Sequence, residues 1–259
     1  MIEEPYRWVE AIANRREYIE MQLAAGSPIA AVSYRDGILF LTLGRSRQKL
    51  FEIYDRIAMG AIGHPGDIER LRMAAIEMAS TEGFTRSAGD VSLRRLAHYS
   101  LSPVMKNAFE QVYGAPYLAR MLFAEIGSTS TEDLFLRVDY DGAIATNGPT
   151  SANARQDFAA LSGTRQSTEL MESFLQGEHS ASATFERALK TALDAWCVGH
   201  MSLGDEDAKE LPAREKITAH RKEQMKRTGI EASVLERSGK IAIRYRTLSE
   251  AELRLSPGD

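Results

Sequence analysis

The stretch LAAGSPIAAVSYRDGILFLTLG, from Leu23 to Gly44, decides the fold. It starts as the end of a helix, turns at Gly26-Ser27-Pro28 and continues as two apolar runs. Asp36-Gly37 joins those runs, and this dipeptide between apolar segments is a strong signal for a β-hairpin. Both runs are too apolar for one face to be exposed to solvent, which predicts strands that are covered on both faces. The stretch therefore predicts a helix before a buried hairpin, and it raises the question whether Ser27 is a nucleophile or a turn residue.

The composition excludes several classes of protein. The chain has 259 residues, a net charge of -4 and one cysteine, Cys197. A negative net charge argues against a nucleic-acid partner, and a single cysteine excludes a disulfide framework and a cysteine-based zinc site. The histidines show no metal-ligand spacing, so neither a metal nor another cofactor is expected. Without a signal peptide or an apolar run of about 18 residues, we expect a cytoplasmic protein with no membrane partner.

Groups of strands alternate with pairs of helices along the chain. A helix is predicted over 5–25, followed by two hairpins, two helices, four strands, two helices and a last hairpin around Ser238-Gly239. Two sheets between pairs of helices fit this order better than a parallel sheet, which would alternate single strands and helices. The predicted fold is a single α+β domain over 1–259, a four-layer αββα sandwich of two antiparallel sheets between helix pairs, with an additional N-terminal helix.

Particular residues set the predicted boundaries. Gly83 is expected to end the first helix after the hairpins, Asp90 to cap the next helix, and Pro103 to kink or break that helix. The charge-dense segment 204–229 is predicted to be a solvated insertion or surface helix, with Glu210–Arg214 and Glu223–Arg227 spaced as helical ion pairs. Residues 255–259 are expected to be a frayed tail.

Two motifs are more simply structural than chemical. GAIGHPGD, from Gly60 to Asp67, lies between a strand and a helix, but it matches neither GxGxxG nor GxxxxGK. Asp67 and Glu69 would also oppose a phosphate at the N-terminus of the helix. Ser27 precedes a proline at the end of a helix, which is typical of a turn. Cys197 lies on a helix and is expected to be packed rather than reactive.

Five segments stand out by their order and spacing along the chain: REYIEMQLAAG (Arg16–Gly26), SYRDGILFLTL, RQKLFEIYDRIAMGAIGHPGDIERLRMAAIEMA, VDYDGAIA and ALSGT. Together they resemble the bacterial α-type subunits of the proteasome, in the N-terminal-nucleophile hydrolase superfamily. The resemblance runs from about residue 5 to about residue 200 and resumes in the last hairpin.

The resemblance bears on catalysis through three positions. In catalytic β-type subunits, a threonine begins the mature chain, assisted by an acidic residue and a lysine on the next two strands. In this sequence those positions fall at Ser27, near Leu43 and at Lys49. A leucine cannot replace a carboxylate, and Ser27 would need cleavage before it to gain a free amine. The resemblance therefore implies a non-catalytic subunit that keeps its leading helix, with Ser27 structural.

The resemblance also implies what such a subunit does. Members form a heptameric outer ring with neighbouring α subunits, stack on proteasome β subunits, gate the entry of unfolded protein substrates and dock a hexameric ATPase activator. The N-terminal helix is expected over 7–25 and the gate before it over 1–6. The implied gate and helix residues are Met1, Ile2, Glu3, Glu4, Pro5, Tyr6, Glu17 and Tyr18. The implied activator-docking residues are Lys49, Gly63 and His64.

Two alternatives remain at this point. The chain could be an active N-terminal-nucleophile peptidase of the β type, processed before Ser27. It could also be a scaffold of the same fold that assembles without a proteasome. The charged segment 204–229 has no assigned role in any of these interpretations.

Overall fold

A computed structural model describes residues 5–44, 47–111, 113–147, 157–204, 210–238 and 244–253, with residues 5–7 and 147 described by their backbone alone. The α-helices are α1 (Pro5–Leu23), α2 (Pro65–Thr85), α3 (Leu93–Leu96), α4 (Ser102–Glu110), α5 (Arg165–Glu178), α6 (Phe185–Ser202) and α7 (Arg214–Arg227). The strands are β1 (Ile29–Tyr34), β2 (Gly37–Gly44), β3 (Leu50–Tyr54), β4 (Ile57–Gly63), β5 (Ala119–Glu125), β6 (Leu134–Val138), β7 (Ile144–Asn147), β8 (Phe158–Leu161), β9 (Gly229–Glu236) and β10 (Tyr245–Thr247).

The described strands form two antiparallel sheets. Sheet A has the order β10-β9-β2-β1-β8, and sheet B has the order β3-β4-β5-β6-β7. Helices α5, α6 and α7 pack on the outer face of sheet A, whereas α2, α3 and α4 cover sheet B. This confirms the predicted four-layer αββα sandwich with a leading helix. The predicted hairpins also form, since β1 pairs with β2, β3 with β4 and β9 with β10.

Three apolar cores hold these layers together. One lies between sheet A and its helices, and a second lies between sheet B and its helices. The third fills the space between the sheets and includes Ile29, Phe40, Leu122, Phe135 and Leu235. Because successive strand residues point to opposite faces, β1 and β2 contribute to the first and third cores together. All six residues of β1 are buried, as the apolar run predicted.

Helix α2 passes through Gly83, so the prediction that this glycine ends it is wrong. The helix continues to Thr85. A Cβ atom built on Gly83 would lie 2.1 Å from the hydroxyl oxygen of Tyr54, on β3. Gly83 therefore allows α2 to approach Tyr54 closely, and this packing outweighs the usual cost of glycine inside a helix.

The next helical region starts later than predicted. Asp90 lies in a short 3-10 turn (Ala88–Asp90), and α3 begins at Leu93. The Leu93 N–H donates to the carboxylate of Glu125 at 2.9 Å, so a side chain from β5 takes the capping role that was assigned to Asp90.

The same region contains the predicted irregularity at Pro103. A π-helical turn over Ala97–Leu101 precedes α4, and Pro103 lies in the first turn of α4. Proline has no N–H to donate to the preceding turn, and a π turn is one way in which a helix absorbs such a gap.

Helix α7 occupies most of the charged segment and is a largely exposed helix, as predicted. Ile217 and Arg221 are its buried residues, and the guanidinium of Arg221 pairs with Asp194 of α6 at 3.0 Å. Arg227 pairs with Glu223 at 2.9 Å as expected. Arg214, however, pairs with Glu178 of α5, because docking on the neighbouring helix brings that carboxylate within reach.

Candidate functional site

The ends of four strands meet at one end of the sandwich. Because β1 pairs antiparallel with β2, and β3 with β4, the starts of β1 and β3 lie beside the ends of β2 and β4. Glu231 of β9 binds the start of β3, which joins sheet A to sheet B here. Four residues singled out from the sequence belong to this end: Ser27, Leu43, Lys49 and Gly63.

Ser27 is engaged in a structural hydrogen bond. Its hydroxyl donates to the backbone carbonyl of Leu43 at 2.9 Å. The neighbouring Thr42 hydroxyl donates in the opposite direction, to the carbonyl of Pro28 at 2.7 Å. The Leu43 side chain is buried in the core beneath α5 and α6. The side chain near the position where the resemblance implied a carboxylate in catalytic subunits is therefore apolar. The Ser27 hydroxyl joins the residues before β1 to the end of β2.

Helix α1, which leads into Ser27, is fixed to the body of the domain. Ile19 and Leu23 are buried in the core of sheet B. The Arg15 guanidinium donates to the backbone carbonyls of Ala108 at 3.2 Å and Phe109 at 3.0 Å, at the end of α4. It also donates to the carbonyl of Gly114 at 3.0 Å. These contacts give α1 both apolar and polar partners in the rest of the chain.

A second set of contacts involves a buried arginine. Arg120 of β5, whose side chain is 7% exposed, pairs with Glu20 of α1 at 2.6 Å and with Asp139 at 2.9 Å. It also donates to the carbonyl of Gly163 at 2.8 Å. The Tyr140 hydroxyl donates to Glu20 at 2.7 Å, and burial together with this carboxylate raises the pKa of Tyr140. The last turn of α1 is thereby tied to strands and turns of both sheets.

Lys49 stands at the start of the edge strand β3. Its backbone carbonyl accepts the N–H of Ala61 at 3.0 Å. Its own N–H donates to the carboxylate of Glu231, and the N–H of Leu50 does the same, each at 2.9 Å. The side chain is partly buried, and burial lowers the pKa of Lys49 although the charge of Glu231 opposes this. Within the described residues, the Lys49 ammonium contacts no hydrogen-bond or ion-pair partner.

Gly63 occupies a backbone conformation that its residue type requires. Its φ angle is +130°, and a Cβ atom built on it would lie 2.0 Å from the carbonyl oxygen of Leu118. The neighbouring His64 N–H donates to that same carbonyl at 2.7 Å. Only glycine fits this approach of the β4–α2 turn to residue 118.

The side chain of His64 is exposed and stands before the first turn of α2. It borders a cavity of about 300 Å³ together with Asp67, Arg70 and Leu118. Lys49 does not line this cavity. The fold thus brings Lys49 and Gly63 to the same end of the β3–β4 pair, with His64 on the adjoining surface.

The remaining residues singled out from the sequence belong to α1 or precede it. Glu17 and Tyr18 are exposed on α1. Pro5 and Tyr6 lie in its first turn. Four expected gate residues lie outside the described part of the chain: Met1, Ile2, Glu3 and Glu4.

Other kinds of site have less support in the described residues. No group of three or more His, Cys, Asp or Glu side chains is arranged there to hold a metal ion. Cys197 is buried, and burial raises the pKa of its thiol to about 12. No described helix combines the length and the apolar character needed to span a membrane.

The chain is similar in sequence to proteins of one known family. A model of the proteasome subunit family matches residues 24–195. The chain belongs to the proteasome subunit family, among its α-type members. It is 32% identical to a protein named proteasome subunit alpha from Parafrankia sp., over 73% of this chain and 74% of the relative. It is 30% identical to the protein of that name from Frankia casuarinae, over 73% of this chain and 75% of the relative. A third, from Nocardioides sp., is 29% identical over 76% of this chain and 72% of the relative.

Sequence reasoning missed two residues that shape this end of the molecule. Glu231 directly precedes four consecutive buried residues, 232–235, in β9, and no local pattern in the sequence directs its side chain to β3. Arg120 lies inside an apolar strand, and that position was itself a signal, since a buried arginine needs carboxylate partners. The sequence could therefore have predicted an ion pair at Arg120, although not the identity of its partners.

Proposed function

We propose that this chain is a non-catalytic α-type subunit of a 20S-type proteasome core. It would form a heptameric outer ring with neighbouring copies, stack on proteasome β subunits and close the proteolytic chamber except through an axial gate. Unfolded protein substrates would pass this gate, and a hexameric ATPase activator would dock on the outer face of the ring. The proposal goes beyond membership of the family and assigns to this chain the ring-forming, gating and docking roles of α-type subunits.

The observation that carries the non-catalytic assignment is the hydrogen bond from the Ser27 hydroxyl to the backbone carbonyl of Leu43, at 2.9 Å. An N-terminal nucleophile needs a free amine, which cleavage before Ser27 would create. That cleavage would release α1, and Arg120 would lose the Glu20 carboxylate that it binds at 2.6 Å. Removing one partner of a buried ion pair is strongly destabilising. The buried Leu43 side chain also supplies no carboxylate to assist Ser27.

Activator docking is proposed at Lys49. Its ammonium is partly buried and contacts no described partner, whereas the nearby Glu231 carboxylate is bound to backbone N–H groups. The C-terminal carboxylate of an activator would form an ion pair with this ammonium. Such a charge-assisted hydrogen bond contributes about 1.5–3 kcal/mol to the free energy of binding. Backbone groups at Gly63 and the exposed His64 would border the docked segment.

The test is the substitution Lys49→Ala in the assembled particle. We expect it to abolish stimulation of peptide hydrolysis by the ATPase activator while the ring still assembles. Lys49→Arg should retain part of the stimulation because it keeps the positive charge. The control is Lys106→Ala, which removes an exposed lysine that pairs with Glu110 on α4. Unaltered stimulation of Lys49→Ala would refute the docking role.

A further inference from the structure

Glu231 connects the two sheets through backbone hydrogen bonds. It lies on β9 of sheet A, and its carboxylate accepts the N–H groups of Lys49 and Leu50 at the start of β3 in sheet B. The second carboxylate oxygen accepts from Lys49 as well, at 3.2 Å. Because β3 is an edge strand of sheet B, no further strand among the described residues pairs with its outer side. Glu231 therefore fixes the backbone position from which the Lys49 side chain extends.

The same carboxylate does not neutralise the Lys49 ammonium by contact. The two groups interact electrostatically, yet they form no salt bridge within 4.0 Å among the described residues. Both oxygens of Glu231 are instead directed to backbone N–H groups. The arrangement keeps a cation in place and leaves its hydrogen-bond donors available.

We infer that Glu231 is the positioning residue of the Lys49 site and that its charge limits how tightly a docking carboxylate binds there. This inference rests on the proposed docking function. Glu231 holds the Lys49 backbone by hydrogen bonds, whereas its negative charge repels a second carboxylate that approaches the ammonium. These two roles are separable, since hydrogen bonding needs an oxygen acceptor and repulsion needs the charge.

Glutamine separates them because it keeps a carbonyl oxygen at the same reach and removes the charge. In Glu231→Gln, the oxygen that accepts from both Lys49 and Leu50 is retained, so the start of β3 stays in place. We expect the concentration of docking peptide needed for half-maximal stimulation to fall by roughly fivefold at pH 7, the effect of removing one partly screened charge at short range. In Glu231→Asp, the side chain is one methylene shorter and no longer reaches β3, so that concentration should rise.

The pH profile supplies a second readout that a purely structural role would not change. Glu231 opposes the lowering of the Lys49 pKa by burial. In Glu231→Gln, the Lys49 ammonium should therefore lose its proton at a lower pH. As the pH is raised, docking of the peptide should then be lost at a lower pH than in the unmodified protein. Loss of strand anchoring alone would weaken docking at every pH without moving this limb.

The experiment uses the particle assembled from this chain and its β subunits, together with the ATPase that stimulates it and a peptide derived from that ATPase. A synthetic peptide of the last residues of that ATPase is titrated once with a free α-carboxylate and once as the α-amide, from pH 6.5 to beyond the alkaline loss of stimulation. The matched control is Glu236→Gln, on the same strand β9, whose carboxylate pairs with the partly exposed Arg246.

The outcomes separate this inference from the proposed function. Tighter docking of the free-acid peptide in Glu231→Gln, with no gain for the amide and none in Glu236→Gln, supports the inference. The inference is overturned if Glu231→Gln changes the half-maximal concentration equally for the free-acid and the amide peptide, or leaves it at the wild-type value. In either case, loss of stimulation in Lys49→Ala still supports the docking proposal. If Lys49→Ala itself leaves stimulation unchanged, the docking proposal fails and the inference fails with it.

Discussion

The hydroxyl of Ser27 donates to the backbone carbonyl of Leu43 across a distance of 2.9 Å. This bond joins Ser27, two residues before β1, to Leu43 near the end of β2. The resemblance implied that these positions correspond to the nucleophile and its acidic partner in catalytic β-type subunits. The contact gives the Ser27 hydroxyl a partner within the hairpin, as the proposed structural role of this residue requires. It also makes the non-catalytic assignment open to direct test.

Replacing Ser27 with alanine should leave the peptidase activity of the assembled particle unchanged. It removes one partly buried hydrogen bond, so a loss of about 1 kcal/mol in the free energy of unfolding is expected. Hydrolysis of a fluorogenic peptide and thermal unfolding measure the two effects. Loss of hydrolysis with normal assembly would mean that Ser27 takes part in the chemistry.

Replacing Arg120 with methionine should loosen α1 from the body of the domain. The change leaves Glu20 and Asp139 without their cation, and breaking such a pair costs about 3 kcal/mol, at the low end because both carboxylates are partly exposed. Amide hydrogen exchange should increase in α1, and particle assembly should weaken. The control is Arg165→Met, which removes a 90% exposed guanidinium paired with Glu169. Equal effects of both substitutions would contradict the role given to Arg120.

The contact between α6 and α7 should weaken in acid. His200 Nδ1 lies 3.0 Å from His220 Nε2, and Trp196 stacks on the His200 ring. Burial lowers the pKa of both histidines; His220 lowers the pKa of His200 further, whereas Glu223 opposes the shift at His220.

The folded state therefore favours the neutral forms of both imidazole rings. Their contribution to the free energy of unfolding is complete above about pH 6.5, the pKa of histidine in an unfolded chain, and is lost as the pH falls below it. Hydrogen exchange in α7, corrected for the intrinsic pH dependence of amide exchange, should therefore rise as the pH falls below about 6.5. His220→Gln should flatten this dependence, whereas the exposed His98→Gln should not. Corrected exchange in α7 that stays constant in acid in the unmodified protein would contradict the account.

Deleting residues 1–6 should raise the basal peptide hydrolysis of the assembled particle. These residues precede most of α1 and are proposed to obstruct the axial entry, so their removal would open it. The described contacts that anchor α1 involve Ile12, Arg15 and later residues, and all of these remain in the truncated chain. Hydrolysis of a short fluorogenic peptide without activator is the measurement, and an unchanged rate would remove the gate assignment.

The sequence predicted the architecture because its strongest signals are local. Apolar runs on both sides of Asp36-Gly37 and helical spacing in α2 determine elements without knowledge of the rest of the chain. The errors arose where distant residues decide. Gly83 remains helical because Tyr54 packs against it, and the start of α3 is set by Glu125 of β5.

The candidate site divides in the same way. The positions of Lys49 and Gly63 follow from strand order, so sequence and resemblance could place them at one end of a hairpin. The residue that holds Lys49 could not be found this way, since Glu231 lies 182 positions away along the chain. Such a contact exists only after two sheets have packed on each other.

The central claim is that the chain is a non-catalytic α-type subunit that keeps its leading helix. Native mass spectrometry of the full-length chain, alone and with its β subunit, combined with intact mass of each component, tests it most directly. We predict a particle built from heptameric rings in which this chain has not been cleaved before Ser27. Recovery of a mature chain that begins at Ser27 would contradict the account and identify the chain as a peptidase.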